Sequence, residues 1–213
     1  MDVAHPIRGI IPTLDAPVLE ILAGTTRPLA GREILRLTEV GSHRGIQLVL
    51  KRLVEQGLAV AEARSNAVFY SANRQHLAWS ALESIVRLRL ALRARLVEEI
   101  EAWRIQPLHV SMFGSAARGD GDSLSDIDLL IVRPDDLGLD PERWDEQIDR
   151  LRALVPAWTG NRCQAFDIGR ERLAEHVAAR DPLVDAWHAD GVHLSGAPLR
   201  ELIAAVPTGS QPR

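Results

Sequence analysis

The sequence has almost no cysteine and no long apolar run, and each shortage argues against a class of protein. Cys163 is the only cysteine among 213 residues, so an internal disulfide is excluded and a reducing compartment is expected. No stretch of about 18 or more uncharged apolar residues occurs, which argues against a membrane span. Residues 1–11 lack the basic and apolar segments of a signal peptide. These features together predict a cytoplasmic protein.

The charge is unevenly distributed along the chain, although the whole carries only −4. Residues 1–104 contain 14 basic and 11 acidic side chains, whereas residues 105–213 contain 11 basic and 18 acidic ones. A basic front half and an acidic back half indicate two units with different partners.

One run, residues 113–132, carries the strongest chemical signal in the chain. Gly114 and Ser115 form a turn, and Asp126 and Asp128 stand at the start of an apolar strand. Residues i and i+2 of a strand share a face, so the two carboxylates should lie side by side. Such a pair raises its own pKa values unless a cation lies between the two groups, and Mg²⁺ suits an oxygen-only site. The glycine admits a phosphate close to the backbone, and the serine can donate to it.

This run resembles the nucleotidyltransferase superfamily of DNA polymerase β, especially its minimal nucleotidyltransferase branch. The family pattern combines Gly-Ser, a short helical segment with Ala-Arg-Gly, and Ser-Asp-x-Asp-Leu. The sequence carries these elements as Gly114-Ser115, Ala117-Arg118-Gly119 and Ser125-Asp126-Ile127-Asp128-Leu129.

The resemblance implies transfer of a nucleotide from an NTP, with ATP expected, in the presence of Mg²⁺ or Mn²⁺. It also implies a third carboxylate on a later strand, which helps to hold two metal ions and takes the proton of the attacking hydroxyl. Asp167 is the candidate for this catalytic and metal-binding role beside Asp126 and Asp128, with helix capping as its alternative role.

The same resemblance assigns the nucleotide phosphates to the turn before the carboxylates. Gly114 and Ser115 would hold the β- and γ-phosphates. Arg118 would either neutralise phosphate charge or form a salt bridge within the fold, and both roles stay open.

The front half has the layout of three helices followed by a β-hairpin. Helices are predicted over 14–23, 30–38 and 42–56, and strands over 58–63 and 68–71. This layout resembles the winged helix-turn-helix domains of bacterial repressors, in which the third helix enters the major groove of DNA. The candidate DNA contacts are Ser42, His43, Arg44, Gln47, Lys51 and Arg64. A winged helix used for protein contacts is the alternative.

A single long helix is predicted from Arg74 to Trp103, without Pro or Gly and with apolar residues on more than one face. It would either dimerise the protein or form the first helix of the catalytic domain. Leu88, Leu92 and Leu96 are the candidates for a seam between the two copies of a homodimer.

The predicted fold class is α+β, with a small mixed sheet in the second half. The expected domains are a winged helix-turn-helix over 1–75, a connecting or dimerisation helix over 76–104, a polymerase β-like nucleotidyltransferase over 105–205 and a flexible tail over 206–213.

Two classes of function fit this organisation. In the first, the protein transfers a nucleoside monophosphate to a hydroxyl of a protein or small molecule, as an antitoxin or autoregulator that also binds DNA. In the second, it is a DNA-binding transcriptional regulator whose back domain only senses nucleotide.

Overall fold

The structure, a computed structural model, describes residues 1–136 and 140–205 and divides into two compact units. Ala4–Arg89 and Asp2 form the N-terminal unit, whereas Met1, Val3 and the chain from Leu90 onward form the C-terminal unit. The predicted tail, 206–213, lies outside the described residues. Over the two described stretches, none of the helices has the length and apolar character needed to span a bilayer.

The N-terminal unit contains the predicted helices and hairpin together with three further elements. A three-stranded antiparallel sheet has the order β1-β3-β2. The elements are α1 (Pro6–Ile10), α2 (Asp15–Ala23), β1 (Leu29–Ala30), α3 (Gly31–Thr38), α4 (His43–Glu55), β2 (Ala59–Arg64), β3 (Ala67–Ala72) and α5 (Ala78–Val86).

The third predicted helix, α4, begins and ends where its sequence signals place it. The Ser42 hydroxyl accepts a hydrogen bond from the Gly45 backbone N–H at 3.1 Å, which satisfies one of the free N–H groups of the first turn. The helix stops before Gly57, whose φ of +73° suits a residue without a side chain. These elements agree with the predicted layout, and the winged helix-turn-helix assignment stays a prediction.

The C-terminal unit is built on a small mixed sheet of order β6-β5-β4-β7. β4 is antiparallel to both β5 and β7, whereas β6 is parallel to β5. The elements are α6 (Leu88–Glu101), which begins just before the unit boundary, β4 (His109–Phe113), α7 (Gly114–Arg118), β5 (Ile127–Val132), α8 (Pro141–Thr159), β6 (Cys163–Ile168), α9 (Arg170–Ala178), α10 (Pro182–Asp190), β7 (Val192–Gly196) and α11 (Leu199–Ala204).

The two faces of this sheet have separate apolar cores, because alternate residues of a strand point to opposite sides. One face of β5 presents Ile127, Leu129 and Ile131 to a cluster that includes residues of α6 and α8. We call this face of the sheet the α8 face. The other presents Leu130 and Val132 to a cluster that includes residues of α9, α10 and α11, and we call it the α10 face.

The single long helix predicted from Arg74 to Trp103 is wrong. The chain forms α5 and α6 instead, interrupted at Arg87, where φ is −94° and ψ is 13°. The apolar residues on its several faces belong to different cores. Ile85 packs in the core of the N-terminal unit, whereas Ile100 packs in that of the C-terminal unit. Packing in two cores therefore overrides a local pattern that contains no helix breaker.

The predicted dimer seam is also wrong. Leu92 is 4 % exposed and Leu96 is 0 % exposed, and both lie inside the cluster on the α8 face. Side chains that already fill the core of one copy are not free to pair with a second copy. Homodimerisation stays a prediction, without this seam.

Because Leu96 is a core residue, we expect Leu96→Ala to lower the stability of the protein by about 2–5 kcal/mol through the cavity that it leaves. Leu90→Ala, on the same helix but 58 % exposed, serves as the matched control and should change stability little. Thermal and urea unfolding of both variants checks this. Equal stabilities of the two variants would contradict the packing of α6.

Candidate functional site

The turn between β4 and α7 requires a glycine for two reasons. Gly114 has a φ of +69°, a backbone conformation that side chains disfavour. A methyl group added there would also lie 2.6 Å from Oδ2 of Asp128, which is the residue opposite Phe113 on β5. The structure therefore brings the predicted turn, Gly114 and Ser115, directly against the second predicted carboxylate.

A hydrogen-bonded loop holds the residues between Ser115 and the carboxylate strand. The backbone N–H groups of residues 119–121 all donate to the Ser115 carbonyl, at 2.9, 3.1 and 3.2 Å. Oδ1 of Asp122 accepts from the backbone N–H of Leu124 and of Ser125, both at 2.9 Å. The Ser125 hydroxyl and these amides hold the pKa of the Asp122 carboxyl below its usual value. The loop thus sets where the strand with the two carboxylates begins.

Asn161 ties this loop to the end of α8. Its side-chain amide donates to the backbone carbonyls of Asp122 at 3.2 Å and Ser125 at 2.8 Å. The sequence did not predict that Asp122 and Asn161 position the loop before β5. Asp122 follows the Asx-turn pattern that its place before Ser125 offers, whereas the role of Asn161 depends on a contact across the fold.

Asp128 and Asp126 interact electrostatically at the start of β5, as the i, i+2 spacing predicts. Asp128 alternates with Leu130 and therefore lies on the α10 face. Partial burial raises the pKa of the Asp128 carboxyl, the negative charge of Asp126 raises it further, and Arg118 opposes the shift. The pair is an arrangement of like charges that a cation would stabilise.

Asp126 also has two polar neighbours that were not expected from the sequence. Arg162 Nε lies 3.4 Å from one of its carboxylate oxygens. The Gln164 side-chain amide donates to the other oxygen at 3.5 Å. Part of the negative charge at this site is therefore already compensated by residues at the start of β6.

The structure does not bring Asp167 to the carboxylate pair, as its predicted catalytic and metal-binding role would require. Asp167 pairs in register with Ile131, not with Asp128, and it alternates with Cys163 and Ala165, which pack on the α8 face. Trp144 Nε1 on α8 donates to its Oδ2 at 3.0 Å. The residue thus lies on the opposite face of the sheet from the carboxylate pair, where it binds a core tryptophan.

The alternative role of Asp167, as a helix cap, is not observed either. The residue at the N-cap of α9 is Gly169, and this helix has no side-chain capping hydrogen bond. The Asp167 carboxylate also forms an ion pair with Arg133, at 3.5 Å.

The residue that β6 places beside Asp128 is Gln164. The two are partners in the parallel register and lie on the same face, and Gln164 is exposed. Within residues 1–136 and 140–205, no three His, Cys, Asp or Glu side chains come together closely enough to hold a metal ion. Two carboxylates with open surroundings fit one hard divalent cation. They do not fit the two ions that the resemblance implied for three carboxylates.

Arg118 forms ion pairs within the fold, which is one of its two expected roles. Its guanidinium contacts Asp120 at 3.1 Å and Asp190 at 2.6 Å. Hydrogen bonds to these two carboxylates raise the pKa of Arg118. The side chain remains partly exposed beside the candidate phosphate site, so contact with a bound nucleotide stays a prediction.

The six candidate DNA contacts differ in how free their side chains are. His43, Arg44 and Lys51 are exposed on α4, although Lys51 Nζ lies 3.7 Å from Glu55. The others are engaged within the unit: the Ser42 hydroxyl caps α4, Gln47 is half-buried against Gly31, and Arg64 pairs with Glu62 at 2.6 Å and lies over the ring of Phe69. The structure thus leaves the first turn of α4 most open to a partner.

Comparison with known proteins supports the assignment of the C-terminal unit. Residues 94–179 match the family described as "Nucleotidyltransferase domain", a range that contains Gly114, Ser115, Asp126 and Asp128. The match supports a nucleotidyltransferase domain in that part of the chain. None of the curated proteins matches the sequence.

Two solved structures show distant likeness. One is human N-acetylserotonin methyltransferase in complex with SAM, with 20 % identity and a TM-score of 0.27, covering 46 % of this chain and 33 % of that one. The chain thus spans about a third of that relative's length. The other is a toxin-antitoxin with AMP-PNP, with 14 % identity and a TM-score of 0.35, covering 54 % of this chain and 82 % of that one. Neither score is high enough to establish a shared fold.

We expect Gly114→Ala to impair both stability and nucleotide binding. The positive φ alone should cost about 1–2 kcal/mol, and the added methyl group must displace the Asp128 carboxylate. Gly9→Ala is the control, because a methyl group there meets no atom within 4 Å. Thermal unfolding and calorimetric titration with Mg²⁺ and ATP measure both effects. Wild-type ATP affinity in Gly114→Ala would contradict the predicted site.

Proposed function

We propose that the C-terminal unit transfers a nucleoside monophosphate from an NTP to an acceptor hydroxyl and depends on a divalent cation, Mg²⁺ or Mn²⁺. The observation that carries this proposal is the juxtaposition of Asp126, Asp128 and the Gly114–Ser115 turn within the stretch that matches the nucleotidyltransferase domain. Apolar cores back these residues, which lie at the end of the sheet where β4 ends and β5 begins.

The residues of the site divide between cation and phosphate. Asp126 and Asp128 would hold the cation, which supplies positive charge against the triphosphate when bound. The Ser115 hydroxyl and the backbone of the Gly114 turn would donate hydrogen bonds to the β- and γ-phosphates. Few side chains are needed, because catalysis of this kind consists largely of positioning and charge neutralisation.

The transfer itself is a substitution at phosphorus. A lone pair of the acceptor oxygen forms a bond to the α-phosphorus, and the bond from that phosphorus to the α–β bridging oxygen breaks. Its electron pair leaves with pyrophosphate, and the acceptor proton passes to water. ATP is the donor that we expect, and the acceptor belongs to a protein or a small molecule.

We further propose that the N-terminal unit binds DNA through the first turn of α4. Its exposed Arg44 and His43 stand on a helix that is otherwise anchored by buried Ile46, Val49 and Leu50. A helix so anchored can present its outer side to a groove without loss of core contacts. A homodimer would place two such helices on a palindromic site.

The combination fits a protein that regulates its own gene and modifies a partner, as an antitoxin does with a toxin. The second candidate is a DNA-binding regulator whose nucleotidyltransferase domain senses nucleotide without transfer. The specific observation in favour of this second candidate is that β6 places the amide of Gln164, and not the carboxylate of Asp167, beside Asp128.

We expect Asp126→Asn and Asp128→Asn each to reduce transfer by at least a hundredfold, because they remove a ligand of the charge-neutralising cation. The measurement is transfer of label from α-³²P-labelled NTPs to an acceptor in a cell lysate with MgCl₂. Asp167→Asn is the matched control on the other face of β6 and should retain activity. Loss of activity in the control alone would reverse the assignment of the two faces.

For DNA, we expect Arg44→Ala to weaken binding to a specific operator by about 1–3 kcal/mol if the side chain reads a base edge. Arg64→Ala should weaken binding to all sequences and reduce the salt dependence if it contacts phosphate. Gel-shift titrations against the region upstream of the gene compare both with Arg172→Ala, an arginine exchange in the C-terminal unit. Folded protein that shifts no DNA at low salt would favour the protein-contact alternative.

A further inference from the structure

Gln164 occupies the position from which a third acidic side chain would complete the carboxylate pair. β6 is parallel to β5, and the register places Gln164 opposite Asp128. Gln164 alternates with Phe166 and Ile168, whose side chains pack on the α10 face, so Gln164 shares this face with Asp128. The side chain is exposed and therefore accessible to solvent and ligands.

The contact of Gln164 with Asp126 shows what the amide does there. Its Nε2 donates toward Asp126 Oδ2 at 3.5 Å. A carboxylate at the same place would repel Asp126 and Asp128 and would need a further cation to be stable. A neutral donor, together with Arg162 at 3.4 Å from the other oxygen, instead stabilises the pair without one.

An amide also differs from a carboxylate in proton transfer. The amide oxygen is too weakly basic to take a proton from an acceptor hydroxyl at neutral pH, and its nitrogen offers only donors. General bases of enzymes contribute about 10²–10⁴-fold to the rate. Asp167, the carboxylate of β6, points to the α8 face and cannot take this role.

We propose that Gln164 restricts this site to one divalent cation and leaves it without a general base, so that the native protein binds NTP well but transfers its nucleotide slowly. This inference rests on the proposed function and specifies it: nucleotide occupancy is the main output of the domain, and transfer is secondary. A single substitution, Gln164→Glu, would supply the third carboxylate, which could also take the proton from the attacking hydroxyl.

The test counts bound cations and measures transfer with the whole 213-residue chain. Electron paramagnetic resonance measures how many Mn²⁺ ions bind per chain in the presence of a non-hydrolysable ATP analogue. We expect one ion in the wild type and two in Gln164→Glu. Transfer from α-³²P-labelled ATP in a lysate should rise at least tenfold in the same variant. Ala153→Glu, which adds the same charge at an exposed position of α8, should bind one ion and show the wild-type rate.

Each outcome decides between the alternatives. Two ions in the wild type, or one ion in a folded Gln164→Glu variant, would overturn the role of Gln164 while leaving the nucleotide site in place. Failure of the wild type to bind the analogue with any Mn²⁺ would instead overturn the proposed function, and this inference with it. Circular dichroism of each variant confirms that Gln164→Glu has the native fold.

Discussion

The mutual repulsion of Asp126 and Asp128 is the constraint around which the C-terminal unit is arranged. Strand alternation places both carboxylates on one face, and partial burial with the neighbouring charge raises the pKa of Asp128. The surrounding residues reduce the electrostatic repulsion between the two carboxylates or leave room for them. Gly114 leaves room for the Asp128 carboxylate, and Arg162 with Gln164 compensates Asp126. Like charges placed this close together are an arrangement that a cation would stabilise.

The sheet separates this chemistry from the scaffold that supports it. The α8 face carries a continuous apolar core that includes Trp144, and it uses Asp167 to satisfy the indole N–H of that tryptophan. The α10 face carries the carboxylate pair at one end of β5 and a second apolar cluster along the rest of the strand. The carboxylate of β6 therefore has a structural role on the α8 face, whereas the candidate cation site lies on the α10 face at the start of β5.

How much of the fold and the site could be predicted from the sequence depends on how far apart along the chain the interacting residues are. The turn at Gly114, the pair at Asp126 and Asp128 and the cap at Ser42 depend on neighbours within a few residues, and local spacing expresses them directly. The interruption at Arg87 contains no breaker residue, and it follows from the packing of adjoining segments in two different cores. Periodicity alone therefore predicted one helix where there are two.

By itself, the sequence determined that two carboxylates lie side by side near a glycine–serine turn, because residues i and i+2 of a strand point to the same face. Only the tertiary structure decided which residue of β6 stands next to them. The pairing of β6 with β5 is set by contacts between segments more than 30 residues apart in the chain. A shift of one residue in that register would exchange the faces of Gln164 and Asp167. Packing of Cys163 and Ala165 into the core of the α8 face selects the register that turns Asp167 inward and leaves Gln164 beside the pair.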